Sequence, residues 1–146
     1  MSSAIVLSAQ GLVKKFGGIV ATQNVDLQLS AGARHALIGP NGAGKTTTFY
    51  MVVGLIRPNG GQVFLDQDDI TRMPMYKRAQ MGIGYLPQEA SVFRKLSVED
   101  NILSVLEMTG MSKSQQRDKM ESLIDEFGLQ HVRKNAGDSL SGGERR

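Results

Sequence analysis

Hydrophobic positions along the chain first alternate, then cluster in short blocks, and finally recur at helical spacing. Ile5 to Leu7 predicts a short strand, and Gly17-Gly18 after Phe16 marks a turn. From Asn24 to Ser30, Val25, Leu27 and Leu29 alternate with Asp26 and Gln28, the pattern of a half-buried strand. Beyond the Ala31-Gly32 turn, Ala36-Leu37-Ile38 is a short apolar block of the kind buried on both faces in a parallel sheet. The glycine-rich stretch Gly39 to Gly44 leads into a predicted helix from Lys45 to Val53, with Gly54 as its stop. Gly60-Gly61 precedes a further strand, Gln62 to Leu65, and Asp66, Asp68 and Asp69 predict the turn after it. Ile83 to Leu86 reads as a second buried strand.

From Ser97 the period changes to that of a helix. Ser97 is placed to cap Val98 to Met108, where Val98, Ile102, Val105 and Leu106 share a face. Ser112 with Gln115 forms a capping-box pattern for a helix ending near Gly128, and Met120, Leu123, Ile124 and Phe127 line one side of it. The predicted class is therefore α/β: a β-rich front, one strand–loop–helix unit, and a helical insert. Residues 1–88 form the core, 89–139 the helical subdomain, and 140–146 the start of one more helix.

Composition narrows the function classes. The 40% hydrophobic and 21% charged content is ordinary for a globular protein. A net charge of +3, with no long basic run, argues against direct nucleic-acid binding, whereas a polyphosphate needs only a few local cations. The absence of cysteine excludes disulfides and thiolate-bound zinc. The first ten residues lack the charged start and apolar core of a signal peptide. The longest apolar stretch, Phe49 to Ile56, is interrupted by Gly54 and falls well short of the ~20 residues that span a bilayer. A cytoplasmic location is expected, with any membrane role exerted through a partner.

The chemistry lies first in Gly39-Pro40-Asn41-Gly42-Ala43-Gly44-Lys45-Thr46, which satisfies G-x-x-x-x-G-K-[ST] at every fixed position. Glycines let the backbone curl so that successive N–H groups point at phosphate oxygens, and the helix N-terminus adds positive potential. Lys45 is placed to reach the β- and γ-phosphates, and the Thr46 hydroxyl to ligate Mg²⁺, with Thr47 beside it. ATP and Mg²⁺ are thus the expected ligands. No N-K-x-D tetrapeptide is present for guanine, and Asp125 to Gly128, a D-x-x-G match, reads as helix termination.

A second motif stands far downstream: Leu140-Ser141-Gly142-Gly143-Glu144. Ser141 and Glu144 make an S-x-x-E capping box, and Gly142 and Gly143 leave the first N–H groups of the helix uncovered beside a free hydroxyl, an anion site. With Gln88 between the two motifs, in Tyr85-Leu86-Pro87-Gln88, the chain resembles the nucleotide-binding subunits of ABC transporters along its whole length. The segments 46–54, 84–91 and 94–101 resemble in particular the ATP-binding subunits of bacterial lipopolysaccharide export systems. Branched-chain amino-acid importers are the nearest similar group. Soluble ABC proteins acting on nucleic acid or ribosomes are a further alternative, although the interval from Lys45 to Ser141 leaves no room for a long coiled coil. A module that holds ATP without hydrolysing it is the remaining one.

The resemblance carries roles with it. Phe16 becomes the platform for adenine, although a phenylalanine after a strand serves equally well as core. Gln88 becomes a contact to Mg²⁺ and the attacking water, and Ser141, Gly142 and Gly143 face the ATP held by an opposite subunit in a homodimer. Phe93 and Arg94 fall in the segment near the membrane-embedded partners, at the cytoplasmic face of the inner membrane. Lys45, Gln88 and Ser141 are accordingly the candidate catalytic residues of an ATPase that powers transport. The family's Walker B aspartate, its general-base glutamate and its switch histidine follow the signature and are not among these residues. Neither His35 nor His131 occupies the last of those positions. The 146 residues alone are expected to bind ATP weakly without turning it over, and to associate through uncovered apolar surface.

Overall fold

The computed structural model describes residues 4–89 and 91–145; Ala90 and Arg146, both within motifs discussed above, lie outside them. The chain divides into two compact units, Met1–Tyr85 and Leu86–Arg146.

The first unit holds β1 (Ile5–Phe16), β2 (Ile19–Ser30), α1 (Lys45–Val53), β3 (Gly60–Leu65), β4 (Asp68–Asp69) and α2 (Met75–Gln80). The strands form one antiparallel sheet in the order β2-β1-β3-β4. Leu7 pairs with Leu29 and Leu65, and Ala9 with Leu27 and Val63, so apolar residues of three strands share one face. Val25, Leu27 and Leu29 are half-buried and Asp26 and Gln28 exposed, as their alternation requires.

Both long strands run well past their predicted ends because each carries an irregularity. The β1 register shifts between Ala9 and Leu12, where the Gly11 N–H donates to Asp26 Oδ1 at 2.6 Å. The inward-facing sequence is thus Leu7, Ala9 and Leu12 instead of a strict alternation. Asn24 has a positive φ of 51°, and the pairing skips from Leu12–Val25 to Lys14–Thr22 around it.

α1 matches its predicted bounds. Its apolar residues Met51 and Val52 pack with Ala9, Leu12, Val63 and Ile70, forming the core of this unit. Met51 and Leu12 are fully buried, and each such side chain contributes about 1.5–3 kcal/mol. β2 presses against the start of this helix: a Cβ on Gly44, where φ is +85°, would lie 2.4 Å from the Ala21 carbonyl oxygen.

The two predicted buried strands do not form. Residues 36–38 and 83–86 have no regular structure, and Ile38 and Leu86 are 87% and 76% exposed. A parallel strand exists only by pairing with neighbours, and among the described residues none pairs with these segments. The space beside residues 34–37 is an open cleft of about 430 Å³ walled by Leu7, Leu27, Leu29, Phe49 and Val52. Ile83 nonetheless packs on the core, and Tyr85 meets Tyr50 of α1 edge to face with ring centroids 6.3 Å apart. The short helix α2 has no counterpart in the sequence reading.

The second unit contains α3 (Val98–Leu106), α4 (Lys113–Glu126) and three single 3₁₀ turns, Glu107–Thr109, Gln130–Val132 and Gly137–Ser139. Ser97 caps α3 by accepting from the Asp100 N–H, and Ser112 with Gln115 forms the complete capping box of α4. After α4, Gly128 takes φ 63° and the Leu129 N–H reaches back to Ile124, so the D-x-x-G segment is indeed a helix end. Leu106, Met120 and Ile124 form one apolar cluster and Val98, Val132 and Leu140 another. Val105 and Phe127 are 63% and 66% exposed, against expectation. The buried stripe of α3 runs over Ile102, Leu103 and Leu106, leaving Val105 at its edge. Phe127 stands past the last turn of α4, where helical spacing no longer applies.

Ion pairs tie these elements together. Arg133 bonds Glu99 at 2.7 Å and both Glu121 oxygens at 2.6 and 2.9 Å, and Lys134 also bonds Glu99. Lys134 and Arg133 hold the Glu99 carboxyl below the usual glutamate range, and Glu121 followed by Glu99 raises Arg133.

Two outcomes follow. A carboxylate with a depressed folded-state pKa stabilises above its unfolded value, and that stability is lost as pH falls through the folded value. Glu99→Gln should therefore lower stability near neutral pH by about 1 kcal/mol. The variant should also flatten the acid side of the stability–pH curve below the ordinary glutamate range, measured by urea unfolding. Gly44→Ala should destabilise by about 2 kcal/mol or more, because it adds a left-handed non-glycine residue to a backbone collision. An unchanged denaturation midpoint would contradict the close approach of β2 to this loop.

Candidate functional site

Residues 39–44 cross an exposed, non-regular stretch whose only internal backbone bond is Ala43 N–H to Pro40 carbonyl, 3.2 Å. Helix α1 then starts without a capping side chain. Its first bonds within the turn are the Thr48 N–H and hydroxyl to the Gly44 carbonyl, at 2.9 and 3.0 Å. The N–H groups of Lys45, Thr46 and Thr47 have no acceptor among the described residues. With no acidic residue in the first turn, nothing offsets the positive end of the helix.

Lys45 completes this arrangement. Its ammonium bends back over the loop and donates to the Gly39 and Pro40 carbonyls, both at 2.7 Å. The charge is thus held at the loop itself, on acceptors that an anion of higher charge can replace. Thr46 is exposed and its hydroxyl makes no hydrogen bond among the described residues, while Thr47 is half-buried. Thr22, at the β2 position whose methyl would lie 2.9 Å from a Cβ on Gly44, is buried, and its hydroxyl has no partner among the described residues.

Phe16 ends β1 and is 50% exposed, so the structure leaves it out of the core. The Lys14 ammonium sits 5.2 Å from the centre of its ring and donates to the Arg57 carbonyl at 2.7 Å. The sequence reading missed Lys14. Its position two residues before Phe16, on the same side of a strand, was the available signal.

In the second unit, the residues from Ser141 form a hydrogen-bonded turn, with the Arg145 N–H bonded to the Ser141 carbonyl at 3.2 Å; among the described residues the expected helix does not extend beyond that one turn. The capping box is closed. Glu144 Oε2 accepts from the Ser141 N–H at 2.8 Å and from the Ser141 hydroxyl at 2.7 Å, and the Glu144 N–H points back at that hydroxyl, 3.4 Å away. The Ser141 hydroxyl is therefore not free, contrary to expectation; the Glu144 carboxylate occupies its proton. Those two Ser141 bonds hold Glu144 below its ordinary pKa, with a smaller contribution from His131, whose Nε2 lies 3.3 Å from Oε1. Gly142 and Gly143 remain exposed, and Arg145 fixes the turn by donating to the Leu140 carbonyl at 2.6 and 2.8 Å.

Gln88 is exposed in the irregular segment after Pro87, within this second unit. Phe93 is 62% exposed, and Asn101 grips its backbone, accepting from the Phe93 N–H at 2.8 Å and donating to its carbonyl at 3.0 Å. Arg94 is exposed and its carbonyl receives the Asp138 N–H at 2.9 Å. Phe93 is thus an exposed side chain on a backbone fixed by Asn101.

The loop and its helix therefore belong to one unit, and Gln88, Phe93, Arg94 and the Ser141 turn to the other. Known proteins resemble the chain across both. The profile of the ABC transporter family matches residues 22–146. A probable ABC transporter ATP-binding protein of Azorhizobium caulinodans is 52% identical over 96% of this chain and 50% of its own length. The lipopolysaccharide export system ATP-binding proteins LptB of Acidithiobacillus ferridurans and Escherichia coli are 52% and 49% identical. They align over 97% and 96% of the chain, and the chain spans 58% of either protein. Among solved structures, cbiO1 of Clostridium perfringens, part of an ABC transporter complex, superimposes with a TM-score of 0.82 over 97% of this chain and 58% of its own, at 20% identity. The ADP conformation of another ABC cassette superimposes with a TM-score of 0.77 over 97% of this chain and 61% of its own, at 24% identity. These likenesses establish the fold as that of an ATP-binding cassette, an α/β P-loop architecture. Two short motifs can recur by accident, but they cannot carry a match that runs from Thr22 to the last residue, and the chain belongs to the ABC transporter family.

Proposed function

We propose that this chain supplies the ATP-binding half-site of a transport ATPase, with the first unit as nucleotide-binding core and the second as helical subdomain. The observation that carries this reading is the uncapped start of α1: three N–H groups without acceptors and a lysine ammonium held over the same loop. Such a site attracts a polyphosphate by charge and by unmet hydrogen bonding together.

In this reading the N–H groups of the loop and of Lys45, Thr46 and Thr47 receive phosphate oxygens. Lys45 exchanges the Gly39 and Pro40 carbonyls for the β- and γ-phosphates. Adenine stacks on the exposed ring of Phe16, with Lys14 near the same ring. The unbonded Thr46 hydroxyl and the Gln88 side chain are the protein groups assigned to Mg²⁺, which supplies neutralisation of the developing phosphate charge.

Ser141, Gly142 and Gly143 are assigned to a triphosphate held by a second copy of the chain, in a two-fold dimer with two composite sites. The Ser141 proton faces Glu144 in the isolated chain, so contact with phosphate requires it to turn from that carboxylate. Phe93 and Arg94 are assigned to contact with membrane-embedded subunits at the cytoplasmic face of the inner membrane. Among the described residues no helix is long and apolar enough to cross a membrane. Lipopolysaccharide export is the transport process favoured, because proteins about 50% identical to the chain carry that role in their names.

In the full-length protein, Lys45→Ala should weaken Mg·ATP binding at least 100-fold, beyond detection by calorimetry at micromolar protein. It removes a charge-assisted contact to two phosphates, of the order of 3 kcal/mol. Retained micromolar affinity would remove Lys45 from the site.

A further inference from the structure

Arg78, on α2, is the largest wholly buried side chain among the described residues, with 1% exposure. Among the described residues no carboxylate pairs with it. Its guanidinium instead donates to four backbone carbonyls: Nη1 to Met51 at 2.8 Å and Val52 at 2.6 Å, Nη2 to Thr71 at 3.0 Å, and Nε to Met73 at 2.9 Å. Burial works against this charge, and Asp69 favours it only through its field from outside pairing distance, so the carbonyls that face the guanidinium must supply the rest. Two of them, Met51 and Val52, belong to the last turn of α1, where carbonyls lack helical partners and the helix dipole is negative. The stop of α1 fits around the same group: a Cβ on Gly54 would lie 2.8 Å from Arg78 Nε. Thr71 and Met73 tie the guanidinium to the segment between β4 and α2, so one side chain joins that segment to the helix end.

α1 is only nine residues long, so its two ends are about 13 Å apart. At one end stands the Arg78 guanidinium; at the other are the unbonded N–H groups of Lys45, Thr46 and Thr47. We propose that Arg78 is a positioning residue for phosphate binding: by fixing the far end of α1 it sets where those N–H groups meet the nucleotide. The inference rests on the nucleotide reading given above. A helix this short moves as one body, so freedom at its last turn becomes displacement at its first. By reciprocity, a phosphate group bound at the first turn must in turn tighten the hold of Arg78 on the last.

The test uses the full-length protein with Arg78 intact, Arg78→Lys and Arg78→Met. Affinity for Mg·ATP is measured by calorimetry, and melting with and without Mg·ATP, at temperatures where circular dichroism shows each protein folded. Arg78→Met, which keeps bulk and loses the charge and all four bonds, should bind Mg·ATP about tenfold more weakly. Arg78→Lys, whose ammonium can still reach one or two carbonyls, should lose about threefold. The rise in Tm caused by Mg·ATP should shrink in the same order. If Arg78 serves only the core, both variants melt earlier yet keep the native affinity and the native rise in Tm; that result overturns the inference. Should Arg78→Met fail to fold, Arg78→Lys decides the matter by the same two readings. Failure of the native protein to bind Mg·ATP would be a different result, removing the nucleotide reading itself.

Discussion

A helix that begins without a capping side chain leaves donors unpaired, and in water-exposed positions those donors are available to an anion. α1 begins in this way, and the surrounding structure keeps it so. Glycine at position 44 lets β2 come within contact of the turn, and no acidic side chain sits in the first turn to satisfy the free N–H groups from within. Met51 and Val52 bury the helix against β1 and β3, which fixes its axis. The lysine that follows the last glycine rests on carbonyls of its own loop, so the positive charge is already in place before any ligand arrives.

The second motif presents the opposite local solution. There the turn is satisfied from within by Glu144, which accepts from both the N–H and the hydroxyl of Ser141. A capping box stabilises a helix start because it meets the donors an anion would otherwise meet. The loop of the first unit is therefore open to phosphate, whereas the turn at Ser141 has an internal acceptor that an incoming phosphate must displace. Ser141 and Glu144 were legible as a capping box from their spacing alone; that the carboxylate would also hold the hydroxyl needed coordinates.

What the sequence revealed elsewhere depended on how local its cause was. The bounds of α1, the caps at Ser97 and Ser112, and the stop at Gly128 rest on residues within four positions of one another, and all were readable. β1 was cut short because a bulge at Gly11 moves its inward residues from Leu7 and Ala9 to Leu12, breaking the alternation that marks a strand. Ala36 to Ile38 and Ile83 to Leu86 read as buried strands from composition, yet strand pairing comes from neighbours distant in sequence; the described residues provide none, and only Ile83 and Tyr85 find partial cover. Arg78 was invisible for a related reason. An arginine in a short polar segment signals solvent, and only the folded chain brings the carbonyls of Met51 and Val52 to it. In the candidate site, the loop residues and Lys45 announce themselves by motif and Lys14 by its spacing from Phe16, while Thr22 emerges only from the packing of β2 against the loop.

Nucleotide binding in this chain depends on the N–H groups at the first turn of α1 that lack acceptors among the described residues. Amide proton and nitrogen shifts of the full-length protein, followed residue by residue as Mg·ATP is added, test them most directly. Gly42, Gly44, Lys45, Thr46 and Thr47 should show the largest shifts together with slowed exchange with solvent, because their N–H groups pass from water to phosphate oxygen. If ATP binds while those five resonances stay where they were, the nucleotide is held by some other part of the chain and this account is wrong.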